Sequence, residues 1–413
     1  MNAVIVGGGA AGMFAAALAS EAGIGVTLIE QNEKLGKKLF ITGKGRCNFT
    51  NDCTPEEFRS NVLTNPKFLF SASDALTSRD VIDLFESWGL RTKVERGRRA
   101  FPASDHSSDV IAMLEKRLKA GKVRVLLNTK VTDILTEDGR AAGISYVQSG
   151  RRGIIRADAV ILATGGLSYP STGACGDGYQ FAKKLRLSVT KLYPSLVPFN
   201  CKEEYVKDLQ GLSLKNVAMT VRSGKKEVFG GFGEMLFTHF GISGPLALSA
   251  SARIGPLIGQ KELVTRLDLK PAVSEEQLDA RFVRVFQENS KKALKNVLHE
   301  FYPSKMQQVI PKIAGIDEET RCCDLTKEAR GRLIHATKEF PLTIVSLRGF
   351  GEAVITKGGI AVKEIDPRTM EAKSCPGLYC IGEVLDLDAY TGGYNLQIAW
   401  CTAAACARAL AEL

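Results

Sequence analysis

The hydrophobic pattern of the first thirty residues predicts a strand, a helix and a second strand. Residues 3–6 are apolar, an alanine-rich stretch then extends to about Ala22, and residues 25–30 are again largely apolar. A short apolar run bounded by glycine is typical of a buried strand, whereas a longer alanine-rich run is typical of a packed helix. The chain is therefore predicted to open with a βαβ unit.

Beyond this unit the spacing of apolar residues changes twice, which predicts three domains. From about residue 191 apolar and polar residues alternate, as in the antiparallel hairpins of a small barrel or sandwich. After Pro271 the spacing becomes helical, and Ser274 with Gln277 forms a capping box at the start of a helix. A strand, a glycine-rich loop and an alanine-rich helix from about Asn395 are predicted to return to the first sheet. The predicted domains are a nucleotide-binding domain of residues 1–190 and 350–413, a β-barrel-like substrate domain of 191–271 and 339–349, and a helical insert of 272–338.

Three glycines between the first strand and the first helix form a nucleotide-binding fingerprint. Gly7, Gly9 and Gly12 have the spacing G-x-G-x-x-G, and Glu30 follows the last of them by eighteen residues. In a βαβ unit such glycines permit a tight turn, close approach of the backbone to a pyrophosphate and close helix packing, while the acid accepts hydrogen bonds from a ribose. We therefore predict a dinucleotide site.

Three later segments favour FAD over NAD as the dinucleotide. The string "ATGG" follows the apolar strand at 159–163, "IGE" follows the strand at 378–381, and Gly392 and Gly393 precede the last helix. These segments are far apart in the chain, as expected where several parts of a protein hold one extended cofactor. An NAD domain usually completes its site within one contiguous block.

Composition favours a cytoplasmic globular protein without metal. The chain has 413 residues, 24% of them charged and 45% hydrophobic, and its four histidines and ten cysteines show neither a C-x-x-C pair nor zinc-like spacing. The first residues have no features of a secretory signal, and no apolar run is long enough to cross a bilayer. We therefore expect reduced cysteines, a cytoplasmic location and neither a metal nor a membrane partner.

The net charge of +10 is concentrated in two short segments. Residues 34–46 contain five basic residues and no acidic one, and residues 91–99 contain five basic residues and one acidic one. If the two segments meet in space, they form a focused positive surface. Such a surface is compatible with RNA as a partner, although solvated charge and contacts to cofactor phosphates explain the same pattern.

Six stretches resemble one family of flavoproteins along nearly the whole chain. They are "GGGAAGM", "LFITGKGRCNFTN", "ATGGLSYPSTGACGDGY", "GEMLFTHFGISGP", "KGGIAVKEI" and "GLYCIGEVLDLDAYTGGYNLQIAW". The family comprises BaiN-like bile-acid enone reductases, aminoacetone oxidases and RdsA-like ribosomal-RNA dihydrouridine synthases, and "GKGRCN" and "TGGYNLQ" are specific to it. The resemblance implies an FAD-dependent oxidoreductase of the α/β class. Its fold is expected to be a Rossmann-type, glutathione-reductase-like FAD-binding domain with an inserted small β-barrel and a helical subdomain.

The fingerprint, the later glycine segments and the resemblance together define a predicted FAD site. Residues 41–51 follow the ribose-binding strand and are expected to run beside the cofactor, with Lys44 and Arg46 offsetting pyrophosphate charge. Amides at the start of the last helix are expected to face the flavin N1–C2=O2 edge, where reduced flavin is negative. The predicted cofactor-binding residues are Gly7, Gly9, Ala10, Ala11, Gly12, Glu30, Gln31, Lys38, Thr42, Gly43, Gly45, Arg46, Cys47, Asn48, Val131, Ala163, Thr164, Gly165, Gly382, Glu383, Gly393, Asn395 and Leu396.

Reduced flavin delivers a hydride, so the chain has to supply orientation and a proton. A carbon–carbon double bond conjugated to a carbonyl suits this pair, because hydride goes to the β carbon and the proton to the α carbon. The candidate catalytic residues are Cys47, His239 and Tyr394, each of which can donate a proton. No second G-x-G-x-x-G is present, so NADH or NADPH is expected to dock only transiently as the electron donor.

Three activities fit these expectations. The first is NAD(P)H-dependent reduction of a small enone substrate such as a 3-oxo-Δ4 bile acid or steroid. The second is dihydrouridine synthesis on ribosomal RNA, since the uracil C5=C6 bond is also conjugated to a carbonyl; the basic segments favour it, whereas an RNP motif and interleaved aromatic residues are not visible. The third is an aminoacetone-type amine oxidase that passes electrons to oxygen. We expect the first of these.

Overall fold

The structure, a computed structural model, describes residues 1–412 of the chain. The chain divides into two compact units. The first combines Met1–Pro194 with the chain from Phe350 onward, and the second is Ser195–Gly349. The second unit is therefore an insertion into the first, and each unit has an apolar core of its own.

Residues 1–412 contain twenty strands and thirteen α-helices. The strands are β1 (Asn2–Val6), β2 (Gly25–Ile29), β3 (Thr50–Asn51), β4 (Thr92–Glu95), β5 (Arg99–Pro102), β6 (Arg124–Leu126), β7 (Thr129–Glu137), β8 (Arg140–Gln148), β9 (Arg151–Arg156), β10 (Ala159–Leu162), β11 (Tyr193–Ser195), β12 (Phe199–Cys201), β13 (Ser213–Ser223), β14 (Lys226–Phe237), β15 (Gly241–Ser243), β16 (Val264–Asp268), β17 (Phe340–Leu342), β18 (Ile344–Leu347), β19 (Ile355–Lys357) and β20 (Leu378–Cys380). The helices are α1 (Ala10–Glu21), α2 (Lys37–Ile41), α3 (Pro55–Ser60), α4 (Phe70–Ala75), α5 (Ser78–Ser87), α6 (Ser107–Ala120), α7 (Asp177–Lys184), α8 (Tyr205–Asp208), α9 (Pro245–Ile254), α10 (Glu275–Glu288), α11 (Ser304–Ala314), α12 (Lys327–Lys338) and α13 (Tyr394–Ala411).

A five-stranded parallel sheet with the order β20-β10-β1-β2-β6 organises the first unit. The chain first builds outward from β1 through β2 to β6, and then returns to the other side of β1 to add β10 and β20. The direction of growth therefore reverses between β1 and β10. In sheets of this kind, ligands bind at the carboxyl ends of the strands beside the reversal. Those ends lead here into Gly7, after β1, and Ala163, after β10.

A cluster of buried aromatic side chains joins the first and last helices of the first unit. The ring of Phe14, on α1, lies 5.2 Å from that of Trp400, on α13, and 5.9 Å from that of Phe85, on α5. Both pairs meet edge to face, which is a favourable arrangement for aromatic rings. The alanine-rich faces of α1 and α13 pack together beside this cluster. The last helix is thereby held against the helix that follows the glycine fingerprint.

A seven-stranded antiparallel sheet with the order β17-β16-β13-β14-β15-β12-β18 forms the centre of the second unit. β17 and β18 lie at opposite ends of this order, yet only Thr343 separates them in the chain. The sheet therefore curls until its edges come close together, as in a small barrel. The helices α10, α11 and α12 belong to the same unit. The predicted capping box of α10 is confirmed, because Ser274 Oγ accepts from the amide of Gln277 and Gln277 Oε1 accepts from the amide of Ser274.

The predicted α/β class with a parallel, Rossmann-type sheet is confirmed. The predicted strand, helix and strand at the start of the chain are β1, α1 and β2, with ends that differ from the expected ones by one or two residues. The finer division into three domains stays a prediction. None of the helices in residues 1–412 combines the length and the apolar composition that crossing a bilayer requires.

Replacing Phe14 by alanine is expected to lower the free energy of unfolding by about 3–5 kcal/mol, because the change leaves a cavity in the aromatic cluster. Ile154→Ala is the control, since that side chain is 61% exposed and its removal should cost less than about 0.5 kcal/mol. Denaturant unfolding followed by tryptophan fluorescence measures both variants, because Trp88 and Trp400 both lie in the cluster. Equal losses in the two variants would contradict the role assigned to the cluster.

Candidate functional site

A deep cleft opens at the carboxyl ends of β1 and β10, where the order of the parallel sheet reverses. It encloses about 1410 Å³ of empty space, part of it open to solvent, which is ample for a dinucleotide. All of the residues that line it belong to the first unit. They are residues 6–11, 29–31, 37–39, 42, 129–131, 163–165, 172–175, 177, 181, 354–355, 381, 383, 387, 395–396 and 398–399.

The glycine fingerprint forms one wall of the cleft. Gly7 has a φ of +112° and lies against the carbonyl group of Ala163, so a side chain at this position would collide with the chain after β10. Gly12 lies against the carbonyl oxygen of Gly7, which brings α1 close to β1. A Cβ atom on Gly9, in contrast, would have no protein atom within 4 Å. The backbone at Gly9 and the amino end of α1 therefore face open space and form an anion-binding surface.

Glu30 lies immediately after β2 with its carboxylate turned toward the fingerprint. Oε2 accepts a hydrogen bond from the amide of Gly8 at 2.8 Å, and Oε1 accepts from the amide and the side chain of Asn32 at 2.9 and 2.6 Å. Only 9% of Glu30 is exposed. The carboxylate is thus fixed in one orientation, and it retains lone pairs that can accept from ribose hydroxyls.

Two amide side chains next to this acid hold a loop over the same end of the cleft. Gln31 Nε2 donates to the carbonyl oxygen of Gly173 at 2.5 Å, and Asn32 Nδ2 donates to that of Thr172 at 3.0 Å. Gly173 has a φ of +101°, and a side chain there would press against Asn32. Residues 172–175 line the cleft together with Gln31. The sequence did not predict these two hydrogen bonds, because the glycine-rich stretch before α7 does not indicate which side chains it contacts.

Lys38 and Glu383 form an ion pair on the wall of the cleft. Their side chains meet at 2.7 Å, and Ser168 joins them because its hydroxyl accepts from Lys38 at 2.6 Å and donates to Glu383 at 2.8 Å. The amide of Thr356 donates to the same carboxylate at 2.9 Å. These contacts connect α2, the chain after β10, β19 and the turn after β20. The cleft thereby gains a charged donor and a charged acceptor in fixed positions, suited to the hydroxyl groups of a ribityl chain.

The amino end of α13 lies at another part of the cleft. Gly393 precedes the helix with a φ of +98° and lies against the backbone of Thr50, while Asn395 and Leu396 line the cleft. Amides in the first turn of a helix lack acceptors within the helix, so they favour a negative group placed near them. Asn395 is held in position by Ala389, whose amide donates to Oδ1 and whose carbonyl accepts from Nδ2, both at 2.9 Å.

Residues 49–51 pack against this last helix, although most of the chain separates the two segments. The indole nitrogen of Trp400 donates to the carbonyl of Phe49 at 2.8 Å, and the hydroxyl of Thr50 donates to Gln397 at 2.7 Å. The residues that directly follow "GKGRCN" are thereby joined to the helix that contains the end of "TGGYNLQ". That both strings lie near the flavin ring stays a prediction.

Two buried oxygen atoms in this region have no hydrogen-bond partner. They are Oγ1 of Thr164, which lines the cleft, and Oδ1 of Asn48, in the segment that precedes β3. Oγ1 of Thr164 lies against Gly178 of α7, whereas Oδ1 of Asn48 is a buried acceptor that a ligand could satisfy. The open space at Gly9 and the fixed carboxylate of Glu30 make the cleft a chemically suitable site for FAD.

The three predicted catalytic residues differ in their surroundings. Cys47 is completely buried, and burial raises the pKa of its thiol to about 12, so the thiol keeps its proton at neutral pH. Tyr394 is half-buried at the start of α13, and burial raises the pKa of its hydroxyl. His239 is an exposed residue of the second unit, with its ring edge-on to that of Phe240. None of the three is among the residues that line the cleft, and their catalytic roles stay predictions.

Most of the predicted cofactor-binding residues lie on the wall of the cleft. Those that do are Gly7, Gly9, Ala10, Ala11, Glu30, Gln31, Lys38, Thr42, Val131, Ala163, Thr164, Gly165, Glu383, Asn395 and Leu396. Those that do not are Gly12, Gly43, Gly45, Arg46, Cys47, Asn48, Gly382 and Gly393. Their contacts with a cofactor stay predictions. Within residues 1–412, acidic, histidine and cysteine side chains form no group that could hold a metal ion.

Comparison with known proteins identifies relatives over the full length of the chain. The family described as HI0933-like protein Rossmann domain matches residues 1–409. The ribosomal RNA dihydrouridine synthase of Escherichia coli K12 is 32% identical over 410 residues, covering 99% of this chain and 98% of that protein. The 3-dehydro-bile acid delta(4,6)-reductase of Clostridium scindens is 31% identical over 416 residues, covering 100% of both.

Two solved structures share the fold of the whole chain at low sequence identity. One is the 3-ketosteroid-delta4-(5alpha)-dehydrogenase of Rhodococcus jostii RHA1, with a TM-score of 0.55, 16% identity and coverage of 100% of this chain and 96% of that one. The other is the 3-ketosteroid delta1-dehydrogenase of Sterolibacterium denitrificans, with a TM-score of 0.56, 14% identity and coverage of 99% of each chain. At these identities the similarity concerns the fold alone.

Gly9→Ala and Gly12→Ala are expected to separate cofactor binding from folding. The methyl group at position 9 enters open space, so the apoprotein should keep its stability within about 0.5 kcal/mol while the Kd for FAD rises at least about tenfold. The methyl group at position 12 meets the carbonyl of Gly7, so stability should fall by about 1–3 kcal/mol. Thermal unfolding of the apoproteins and fluorescence titration with FAD measure the two effects. Unchanged FAD binding in Gly9→Ala would exclude this wall as the phosphate site.

Cys47 in the folded protein is expected to resist alkylation by iodoacetamide near pH 8, because burial excludes the reagent and keeps the thiol protonated. Cys175 and Cys323 are exposed and serve as internal controls that should react. Mass spectrometry of peptides from native and denatured samples measures the labelling. Rapid labelling of Cys47 in the native sample would show that its burial is not maintained in solution.

Proposed function

Because the chain belongs to the HI0933-like Rossmann-domain family, we propose that this FAD-dependent oxidoreductase reduces a carbon–carbon double bond conjugated to a carbonyl group. The shared chemistry of the two full-length relatives described above carries the proposal. Dihydrouridine is uridine with a saturated C5=C6 bond, and a 3-dehydro-bile acid Δ4,6-reductase removes ring double bonds conjugated to a 3-ketone. Both products follow from adding a hydride and a proton across an enone-type bond.

The residues of the cleft suit this chemistry. Bound FAD supplies a hydride from flavin N5. The first turn of α13, at Asn395 and Leu396, would favour the negative charge of the reduced flavin ring. The carboxylate of Glu30 and the pair formed by Lys38 and Glu383 would orient the sugar hydroxyls of the cofactor.

We propose Cys47 as the proton donor, which requires its completely buried thiol to become accessible when the cofactor and the substrate bind. Its thiol is protonated at neutral pH, and its amide donates to the carbonyl of Thr42, a residue that lines the cleft, at 3.0 Å. A thiol can protonate the strongly basic enolate carbon that hydride addition leaves behind, even with a raised pKa. Tyr394 and His239 are the alternative donors.

A uracil base in RNA is the substrate that the charge distribution favours. Arg46, from residues 34–46, contacts Glu95, from residues 91–99, at 2.5 Å, so the two basic segments lie side by side. Part of their charge is neutralised by such pairs, but exposed basic side chains remain on both segments. These are Lys34, Lys44, Arg91, Arg96 and Arg99, whereas the exposed Arg98 pairs with Glu57. A surface of this kind next to the cleft is suited to the phosphates of a polyanion.

A small steroid-type enone is the second candidate, and the apolar part of the cleft favours it. Val354, Ile355, Leu387 and Leu396 all line the cleft, and Val354 is 37% exposed. Side chains of this type can cover the rings of a 3-oxo-Δ4 bile acid or steroid without a requirement for phosphate contacts.

NADH or NADPH is proposed as the electron donor. The chain has one G-x-G-x-x-G, and that fingerprint belongs to the wall of the cleft described above. The nicotinamide nucleotide would therefore bind transiently, deliver its hydride to the flavin and leave before the second substrate is reduced.

The proposal is tested by anaerobic reduction of the purified flavoprotein with NADH or NADPH, followed by mixing with candidate oxidants. Unmodified ribosomal RNA, a 3-oxo-Δ4 steroid and air are the three arms, and flavin absorbance reports reoxidation. With RNA as the substrate, the rate should fall by about tenfold or more when salt rises from about 50 to 200 mM, because phosphate contacts release counterions. A rate with the steroid should be nearly independent of salt.

The three arms lead to different conclusions. Fast reoxidation by RNA or by steroid identifies the substrate class, and dihydrouridine or the saturated ketone should then be detected by mass spectrometry. Reoxidation by oxygen alone would overturn the enone proposal and favour an oxidase acting on an amine. Cys47→Ala should slow reoxidation by the organic substrate at least about tenfold while leaving reduction by NAD(P)H unchanged; equal effects on both half-reactions would remove Cys47 from the role of proton donor.

A further inference from the structure

The segment between α2 and β3 forms a turn with an unusual backbone. Gly43, Lys44, Gly45 and Cys47 all have positive φ, at 62°, 59°, 85° and 56°. Lys44 and Cys47 carry side chains in this left-handed region, where only glycine is accommodated without strain. Such strained residues persist only where the surrounding structure holds them, and they concentrate at functional sites.

Hydrogen bonds within the turn account for part of its shape. The carbonyl oxygen of Thr42 accepts from the amide of Gly45 at 3.2 Å and from that of Cys47 at 3.0 Å. The carbonyl of Gly45 accepts from the amide of Ser107, at the start of α6, at 2.8 Å. Because Thr42 lines the cleft, the shape of the turn determines how this wall is presented.

Arg46 supplies a second external anchor of the turn, in addition to the bond from Ser107. Its Nε donates to Asp105 at 2.8 Å and its Nη2 donates to Glu95 at 2.5 Å, while its guanidinium lies 4.3 Å from the centre of the Phe101 ring. Lys93 donates to the other oxygen of Asp105 at 2.6 Å. The hydrogen bond from Lys93 and then that from Arg46 lower the pKa of Asp105, and the hydrogen bond from Arg46 lowers that of Glu95, so both carboxylates stay ionised around neutral pH.

Arg46 is not among the residues that line the cleft, and neither are the side chains that it contacts. Its guanidinium is paired with two carboxylates and stacked on an aromatic ring. The contact of Arg46 with the pyrophosphate, expected from the sequence, stays a prediction. A guanidinium group that donates to two carboxylates at once holds the backbone of its residue in a precise position. The flexible ammonium group of a lysine cannot reproduce this geometry fully.

We infer that Arg46 is a positioning residue that holds the left-handed turn in the shape that presents Thr42, Cys47 and Asn48 to the isoalloxazine half of FAD. The inference rests on the proposed function, because it assigns that half of the cofactor to this part of the cleft. The unpartnered Oδ1 of Asn48 supports it, since a buried acceptor at the end of the turn is ready to receive a hydrogen bond from a ligand. Arg46 then acts on the ring half of the cofactor, without touching its phosphates.

Arg46→Gln tests the inference with ADP and FAD as separate probes. ADP contains the phosphates and adenosine of the cofactor but no flavin ring. The variant should bind ADP with a Kd within about twofold of the wild type, whereas its Kd for FAD should rise about tenfold, because only ring contacts are disturbed. In the holoenzyme the visible absorption bands of the flavin should shift, and reoxidation by the organic substrate should slow about tenfold or more.

Two further variants make the outcome decisive. Arg46→Lys retains the charge and should restore at least half of the FAD affinity that Arg46→Gln loses. Arg152→Gln removes an exposed arginine on β9 and, as the control, should change none of these measurements. Thermal unfolding establishes that each variant is folded. If folded Arg46→Gln binds ADP about tenfold or more weakly, the inference is overturned and Arg46 is instead a ligand of the phosphates. If the affinity for both probes and the flavin spectrum are unchanged, the inference is overturned as well. Both probes are measured without substrate, so a failure of the proposed reaction would be seen separately in the wild-type protein.

Discussion

The parallel pairing of β1 with β10 is the constraint on which the rest of the structure depends. Val6 lies opposite Leu162, so the two strands end at the same level and their connections leave the sheet side by side. Gly7 and Ala163 then touch at a distance that admits no side chain on Gly7. The cleft exists because the chain turns to opposite sides of the sheet after these two strands. The residues that line the cleft are arranged around this reversal.

A second set of contacts determines the part of the cleft next to α13. Phe49 and Thr50 are bonded to Trp400 and Gln397, and Gly393 lies against Thr50. These contacts join the segment that follows α2 to the last helix, α13. The amino end of that helix and the left-handed turn are therefore positioned by the same buried interface. A substitution in either segment is expected to disturb the other segment, because a buried hydrogen bond that loses one partner leaves the remaining group unsatisfied.

The distribution of charge separates exposed basic residues of the first unit from the largely apolar lining of the cleft. The basic segments 34–46 and 91–99 are in contact. Some of their charge is neutralised by ion pairs that hold the backbone, such as those of Arg46 and Lys93 with Asp105. The remaining exposed charge lies on the same unit as the cleft and is available to a polyanion. The cleft itself is lined largely by apolar and small residues, which suit a planar ring that carries a conjugated carbonyl. Under the proposed function, ring chemistry and recognition of the remainder of the substrate would therefore fall to different residues.

Local features of the sequence were sufficient to predict the elements whose signals are short in range. The glycine fingerprint with Glu30, the capping box of α10 and the α/β class could all be predicted, because apolar spacing and backbone restrictions act within one or two turns of chain. Tertiary structure alone decided which distant groups meet: the clasp of Gln31 and Asn32 on the loop at 172–175, and the pairing of Arg46 with Glu95 and Asp105. A positive charge in a sequence carries no mark of its partner, since ion pairs and side-chain hydrogen bonds depend on distances set by the packing of the whole unit. For this reason the residue types of the site were evident in the sequence, whereas the division between those that line the cleft and those that support it was not.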